Sequence, residues 1–251
     1  MKKAFITWIL TIATLSAFAT NPAPPITIAV AANMQFAMQE LTHHFTKETG
    51  IQCNLVISSS GKLTAQIKQG APYDLFVSAD MKYPDVLYKE GFALQKPKIY
   101  AYGKLVLWSL DKSIKPSLSV LKSSTVKHIA CANPRTAPYG VATIQVLKHN
   151  GIYSAVKSKL VYGESISQTN QFITSKSAQI GFTAKSVVLS PEMKGKGQWI
   201  ELNPSSYAPI AQGVVILKQD HVEEAAAKRF YNFLFSAEAK KILKSYGYSV
   251  K

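Results

Sequence analysis

Four places in this 251-residue chain put a small or polar residue where an apolar run gives way to a helical pattern. They are Ala32-Asn33, Ser59-Ser60-Gly61, Pro138-Tyr139-Gly140 and Ser165-Ile166-Ser167. The first N–H groups of a helix have no acceptor within it, and the aligned peptide dipoles place partial positive charge at that end. Asn33 and Ser60 are good N-cap residue types, and Gly61 and Gly140 have no Cβ to keep a ligand off the backbone. Taken singly, each start is an ordinary cap, and Pro138-Tyr139-Gly140 an ordinary turn with Tyr139 packing. Four of them converging on one cleft bind an oxyanion with neutral donors.

The elements that must bring them together follow an α/β alternation with few two-residue hairpin signals, which predicts largely parallel sheets. Strands are expected at residues 26–31, 53–57 and 74–78. Between them lie a helix from Asn33 to Gly50, with Met34, Met38, Leu41 and Phe45 on its apolar face, and a short one carrying Leu63 and Ile67. A third helix covers 81–90 and closes at Gly91. A second set comprises strands at 128–132, 159–161 and 179–183, with helices from Tyr139 to His149 and from about Ser167. Apolar runs at 105–109 and 214–217 bracket this second set, and helices at 222–235 and 237–246 end the chain. The pattern predicts two lobes joined by two crossover strands, each lobe a mixed, mostly parallel sheet flanked by helices. Lobe one takes 20–106 and 214–251, lobe two takes 107–213, and opening and closing is expected near 105–108 and 213–217.

Residues 1–19 read as a cleaved signal peptide: Lys2 and Lys3 precede an apolar run at 4–15, and Ala17-Phe18-Ala19 offers small residues for cleavage. A helix over 4–15 would span about 18 Å, short of the roughly 30 Å hydrocarbon core. A periplasmic location follows. The chain carries 29 Lys+Arg against 14 Asp+Glu, a formal +15; losing Lys2 and Lys3 leaves 27 basic residues and +13. Export argues against a nucleic-acid partner, so the excess points to a small anion or to the surface. Two cysteines exclude a disulfide-dense scaffold and a four-Cys zinc module. Cys53 and Cys131 fall in strands of different lobes and read as free thiols.

Enzymatic chemistry finds little support. Ser58, Ser59 and Ser60 lie in no Gly-x-Ser-x-Gly elbow and have no motif-placed base. His43 and His44 are adjacent and point about 100° apart on a helix, poor geometry for one metal. The lysines of the last helices, Lys228, Lys240, Lys241 and Lys244, read as a solvated face.

Read as wholes, several runs resemble the periplasmic molybdate-binding proteins of ABC importers. They include Ala31-Ala32-Asn33, Ser58-Ser59-Ser60-Gly61-Lys62-Leu63 and the long run Gly70-Ala71-Pro72-Tyr73-Asp74-Leu75-Phe76-Val77-Ser78-Ala79-Asp80. The likeness continues through Gly103-Lys104-Leu105-Val106, Asn133-Pro134, Pro138-Tyr139-Gly140, Gln179-Ile180-Gly181-Phe182 and Pro209-Ile210-Ala211-Gln212-Gly213 to Tyr246-Gly247-Tyr248. What the resemblance implies is a type II solute-binding protein whose lobes close over molybdate or tungstate without a countercharge and with no protein ligand on the metal. It also implies no cofactor, a monomer, and delivery to an inner-membrane ABC permease and its ATPase.

Carried over residue by residue, the resemblance assigns Asn33 (backbone N–H, with its side-chain amide as an added donor) and Ser60 (hydroxyl and N–H) from lobe one. It assigns the backbone N–H groups of Tyr139 and Ile166 from lobe two. Ala32, Gly61 and Ala184 are additional candidates. Ala32 stands where some members have a hydroxyl residue, and Ala184 where one branch donates a tyrosine hydroxyl. The alternatives are a receptor for another oxyanion such as sulfate, or for ferric iron; against iron, the Tyr246 and Tyr248 pair lies at the far C-terminus rather than on a hinge.

Overall fold

The computed structural model describes residues 24–218 and 224–250. The signal-peptide reading at 1–19, the segment after it and the start of the helix expected from 222 lie outside these residues.

Ten strands form two five-stranded sheets. In chain order the first lobe holds β1 (Ile26–Ala31), α1 (Gln35–Thr49), β2 (Cys53–Ser58), α2 (Ser60–Lys68), β3 (Leu75–Ser78), α3 (Lys82–Lys89) and β4 (Lys98–Gly103). The second holds β5 (Leu105–Ser109), β6 (Ile129–Ala132), α4 (Pro138–His149), α5 (Tyr153–Val156), β7 (Leu160–Gly163), α6 (Ile166–Thr174), β8 (Ile180–Ala184), α7 (Lys185–Val188) and β9 (Gln198–Glu201). The chain then returns to the first lobe with β10 (Ile210–Ile216), α8 (Glu224–Phe233) and α9 (Ala237–Ser245).

Sheet order is β2-β1-β3-β10-β4 in the first lobe and β7-β6-β8-β5-β9 in the second. In each, three adjacent strands run parallel, the fourth is antiparallel to both neighbours, and the fifth points the same way as the first three. The reversed strands are the two apolar runs of mid-chain and late chain, β5 and β10. Both are hydrogen-bonded on two sides and almost wholly buried, which explains their near-continuous hydrophobicity.

The chain crosses between lobes twice, at Lys104 between β4 and β5 and over residues 202–209 between β9 and β10. The expected crossover strands at 105–108 and 213–217 do not span the lobes: β5 is paired only within the second sheet and β10 only within the first, so the two connections alone join the lobes. Leu105 and Val106 pair with Ala184 and Thr183 in the second sheet, and Ile210 and Ala211 with Gly103 and Tyr102 in the first.

The helices form where the periodicity places them. α1 buries Ala37, Met38, Leu41 and Phe45 against the first sheet and ends at Gly50, whose φ of 74° is the left-handed value a helix C-terminus favours in glycine. Phe45 meets Phe230 of α8 edge-on at 5.1 Å, tying the C-terminal helices onto the first lobe. After α9, Ser249 forms an isolated antiparallel bridge with Tyr102 of β4, exchanging hydrogen bonds of 2.8 and 3.0 Å.

Two strands escape the sequence reading. β4 is preceded by Lys96-Pro97 and begins exposed at Lys98, while β9 carries Gln198 and Glu201 around only two apolar residues. Cys53 and Cys131 are unbonded and sit in different sheets. Among the described residues no helix is long and apolar enough to cross a membrane.

Candidate functional site

The parallel strands β1, β2 and β3 all deliver the chain to one edge of the first lobe, and β6, β7 and β8 do the same in the second. In open α/β sheets ligands collect outside the carboxyl ends of the strands, where the strand order reverses. In each lobe that reversal falls beside the second strand of the sheet, β1 or β6. The two edges face each other across a small cavity, about 10 Å³ of space open to the centre of a water-sized sphere. Its wall is Ala31, Ala32 and Asn33 after β1, Ser59 and Ser60 after β2, and Ala79 after β3. Ala137, Pro138 and Tyr139 after β6 and Ile166 after β7 complete it. Ala32, Asn33, Ser60, Tyr139 and Ile166 are thus brought together.

Gly61 and Ala184 are not in that wall. Gly61 donates its N–H to the Thr136 carbonyl across the cleft at 2.9 Å, and a Cβ there would lie 2.7 Å from the Tyr83 hydroxyl. Its missing side chain therefore admits the other lobe rather than a ligand. Gly140 likewise serves packing: a Cβ would stand 2.1 Å from the Ala132 carbonyl, so the glycine lets α4 press onto the end of β6. Ala184 is wholly buried at the end of β8, paired with Leu105. Two residues on, Ser186 reaches the site instead, donating its hydroxyl to the Asn33 carbonyl at 2.7 Å.

Asn33 sits in a short 3-10 turn, Ala32–Met34, between β1 and α1. The residue is 2 % exposed, and both hydrogens of its side-chain amide are engaged. Nδ2 donates to Gln212 Oε1 at 2.8 Å and to the Tyr248 hydroxyl at 3.0 Å. The amide orientation follows from the network. Gln212 Nε2 must donate to the Ala79 and Ile210 carbonyls, at 3.2 and 3.3 Å, which turns its Oε1 towards Asn33. Asn33 therefore has no side-chain hydrogen left for a ligand, contrary to the expectation from sequence, and offers its backbone N–H. The Tyr248 hydroxyl approaches the Asn33 carbonyl at 2.9 Å and Ser186 Oγ at 3.0 Å. Tyr248 thus belongs to the site's supporting shell although it lies near the end of the chain; the bridge between Ser249 and Tyr102 brings it there. Sequence offers only the Tyr-Gly-Tyr run as a hint of this contact.

The helix α2 starts at Ser60, with Ser59 as its N-cap, one residue earlier than expected. Ser60 Oγ accepts from the Ala79 N–H at 3.0 Å, so its own hydrogen is left to donate into the cavity. Pro138 occupies the first turn of α4, where a missing N–H costs nothing, and Tyr139 follows it. Ser165 caps α6 by accepting from the Gln168 N–H at 3.4 Å, leaving the N–H of Ile166 at the helix start.

No Lys, Arg, Asp, Glu or His lines the cavity. Its one titratable group is the Tyr139 phenol, pushed well above the ordinary tyrosine value by burial first and by the neighbouring tyrosines second. Tyr248 is raised for the same leading reason. Both are neutral hydroxyls at any physiological pH. Among the described residues no group of three or more His, Cys, Asp or Glu side chains is placed to hold a metal.

The lobes touch around this cavity. Besides the Gly61 and Ser186 contacts, Ser167 Oγ donates to Gln35 Oε1 at 2.9 Å, the Tyr83 hydroxyl to the Arg135 carbonyl at 3.2 Å, and Lys62 meets Glu164 at 2.7 Å. The arrangement is a closed one.

Comparison with known proteins gives a consistent picture. Residues 26–249 match the family described as bacterial extracellular solute-binding protein. The chain is 39 % identical to the molybdate-binding protein ModA of Rhodobacter capsulatus, over 88 % of this chain and 86 % of that protein. It is 37 % identical to ModA of Azotobacter vinelandii over 91 % of both. The solved periplasmic molybdate-binding protein of Azotobacter vinelandii superposes with a TM-score of 0.82 at 35 % identity, covering 90 % of this chain and 99 % of that one. The sulfate-binding protein SubI of Mycobacterium tuberculosis shares the fold, with a TM-score of 0.72 at 14 % identity over 90 % of this chain and 86 % of that one.

Proposed function

The chain belongs to the bacterial extracellular solute-binding protein family, and we propose that it captures molybdate, and tungstate with it, and passes it to an ABC importer. The observation that carries this reading is the uncharged cavity between the lobes, walled by helix starts and two serines, in a chain whose relatives at 37–39 % identity are molybdate-binding proteins.

Neutral donors suit such a ligand. A hydrogen bond to a charged group contributes about 1.5–3 kcal/mol. Four of them, from the N–H groups of Asn33, Tyr139 and Ile166 and the hydroxyl of Ser60, bracket the roughly 8 kcal/mol of micromolar binding. Backbone N–H groups cannot accept, so an oxyanion that keeps a proton loses a partner at every N–H it turns that proton towards and is disfavoured. Molybdate, tungstate and sulfate are all unprotonated dianions near neutral pH, so size separates sulfate from the other two. No step makes or breaks a covalent bond, and no cofactor takes part. The protein acts as a monomer in the periplasm, and its closed form docks on the permease.

The test is thermal unfolding with molybdate, tungstate, sulfate, phosphate and Fe(III) in turn. A ligand at a thousandfold its Kd adds about 4 kcal/mol of stability. Molybdate and tungstate are expected to raise the midpoint; a shift with sulfate or iron and none with molybdate overturns the reading.

A further inference from the structure

Buried polar atoms almost always find a partner, so those that do not need an explanation. Five buried side-chain oxygens in the described residues have none: those of Ser59, Tyr100, Tyr139, Ser190 and Tyr231. Ser59 is the one serine of this group in the cavity wall, and it is 3 % exposed.

Its position makes the missing partner more telling. Ser59 is the N-cap of α2, where a serine hydroxyl ordinarily accepts from an N–H of the first turn. The other two serines that cap α-helices among the described residues do this: Ser165 accepts from Gln168 and Ser236 from Ala239. Ser59 has the same extended backbone, φ −73° and ψ 150°, and makes no such bond. The first turn is tied otherwise, with the Leu63 N–H on the Ser59 carbonyl at 3.0 Å and the Thr64 hydroxyl on that of Ser60 at 2.8 Å. Ser59 thus lines the cavity and carries a buried hydroxyl with hydrogen and lone pairs both uncommitted. Beside it, at the end of the neighbouring strand, Ala32 brings no hydroxyl.

We propose that Ser59 is a ligand-contacting residue, donating its hydroxyl hydrogen to an oxygen of the bound tetrahedral dianion and supplying from α2 the donor that Ala32 lacks. This rests on the function proposed above and adds to it a second serine donor beside Ser60. The two serines divide their work. Ser60 spends a lone pair on Ala79, which fixes its rotamer and aims its hydrogen. Ser59 is held by no other group and gains its only partner when the ion arrives.

Calorimetric titration of molybdate into the wild type and into Ser59→Ala, with thermal unfolding of both in the absence of ligand, tests this. Ser59→Ala should weaken molybdate binding at least tenfold while the ligand-free midpoint holds or rises, since a buried hydroxyl without a partner is removed. Affinity within twofold of wild type overturns the assignment. So does a drop in the ligand-free midpoint with affinity retained, which marks a purely structural serine. Should Ser59→Ala fail to fold, Ser59→Gly removes the same hydroxyl and is read against the same thresholds. A wild type that gives no molybdate isotherm overturns the underlying function instead, so the two failures are told apart.

Discussion

The hydroxyl of Tyr248 lies 2.9 Å from the carbonyl of Asn33 and 3.0 Å from its side-chain nitrogen, gripping one residue from two sides. Tyr248 does not line the cavity, yet it fixes the turn that presents the Asn33 N–H. The site is thus held from behind by residues far away in sequence: Gln212 from β10, Ser186 from α7 and Tyr248 from beyond α9.

Tyr248→Phe removes that grip without changing ring packing. It leaves an Asn33 amide hydrogen without its acceptor, at a cost of about 1–3 kcal/mol in urea unfolding. Molybdate affinity should fall by about tenfold, equivalent to 1.4 kcal/mol, through loss of positioning. Calorimetry that finds the variant as tight as wild type removes Tyr248 from the site's support.

Asn33→Asp keeps the shape and reverses the chemistry. A carboxylate oxygen would face Gln212 Oε1, which cannot turn because its Nε2 serves the Ala79 and Ile210 carbonyls. A negative charge would also stand beside a dianion in a low-dielectric site. Molybdate binding should weaken by at least about a hundredfold, roughly the 2.7 kcal/mol of two decades. Binding near the wild-type level would show that the Asn33 amide has no bearing on the anion.

Gly61→Ala addresses closure. The added methyl would meet the Thr136 Cα of the other lobe at 3.0 Å and, within its own lobe, the Tyr83 hydroxyl at 2.7 Å, the end of a side chain that can swing aside. The open form is spared the Thr136 contact. Small-angle scattering should show a variant that stays extended at molybdate concentrations that compact the wild type, with ligand-free stability little altered. Normal compaction would mean that the rim yields.

The net charge of +15 over the whole sequence has no counterpart in the cavity wall, so it acts at long range. Raising ionic strength from about 0.01 to 0.15 M shortens the Debye length from roughly 30 to 8 Å. Stopped-flow association with molybdate should slow accordingly while dissociation stays nearly constant. A salt effect confined to dissociation would place charge at the contact itself.

The two thiols should be inert in the folded protein. Burial pushes Cys53 and Cys131 up to about 12, with hydrogen bonds from Thr46 and Thr143 opposing it weakly. At pH 8 only about one thiol in ten thousand is then the reactive thiolate. An unfolded cysteine ionises near its ordinary value, so the thiols favour the folded state increasingly less as pH climbs past that value towards 12. A thiol reagent should label neither residue at pH 8 and both in urea; rapid labelling of the native protein would contradict their burial.

Much of this architecture is legible from residues alone. The stretch from β1 to α3 announces itself because its strands are apolar runs and each of its helices has a buried face and a glycine after its end: Gly50, Gly70 and Gly91 all adopt the left-handed backbone that closes a helix. The wall of the cavity is legible for the same local reason, since a strand that ends in a small polar residue and opens a helix leaves its mark within a few positions. The supporting network is not. Tyr248 reaches Asn33 over 215 residues of sequence through one antiparallel bridge, and no periodicity encodes a single bridge. Gly61 marks the opposite limit: a missing Cβ says that something comes close, and only the fold tells that it is the Thr136 backbone of the other lobe.

The spread of the cavity wall over several loops has a consequence for capture kinetics. The first lobe meets the cavity with the loops after β1, β2 and β3, the second with the loops after β6 and β7. A tetrahedral ion is unchanged by a half-turn about any of its twofold axes. An ion entering in one pose or its half-turn image therefore presents equivalent oxygens to the same loops. The orientational search that slows most specific encounters is shortened before either lobe has moved.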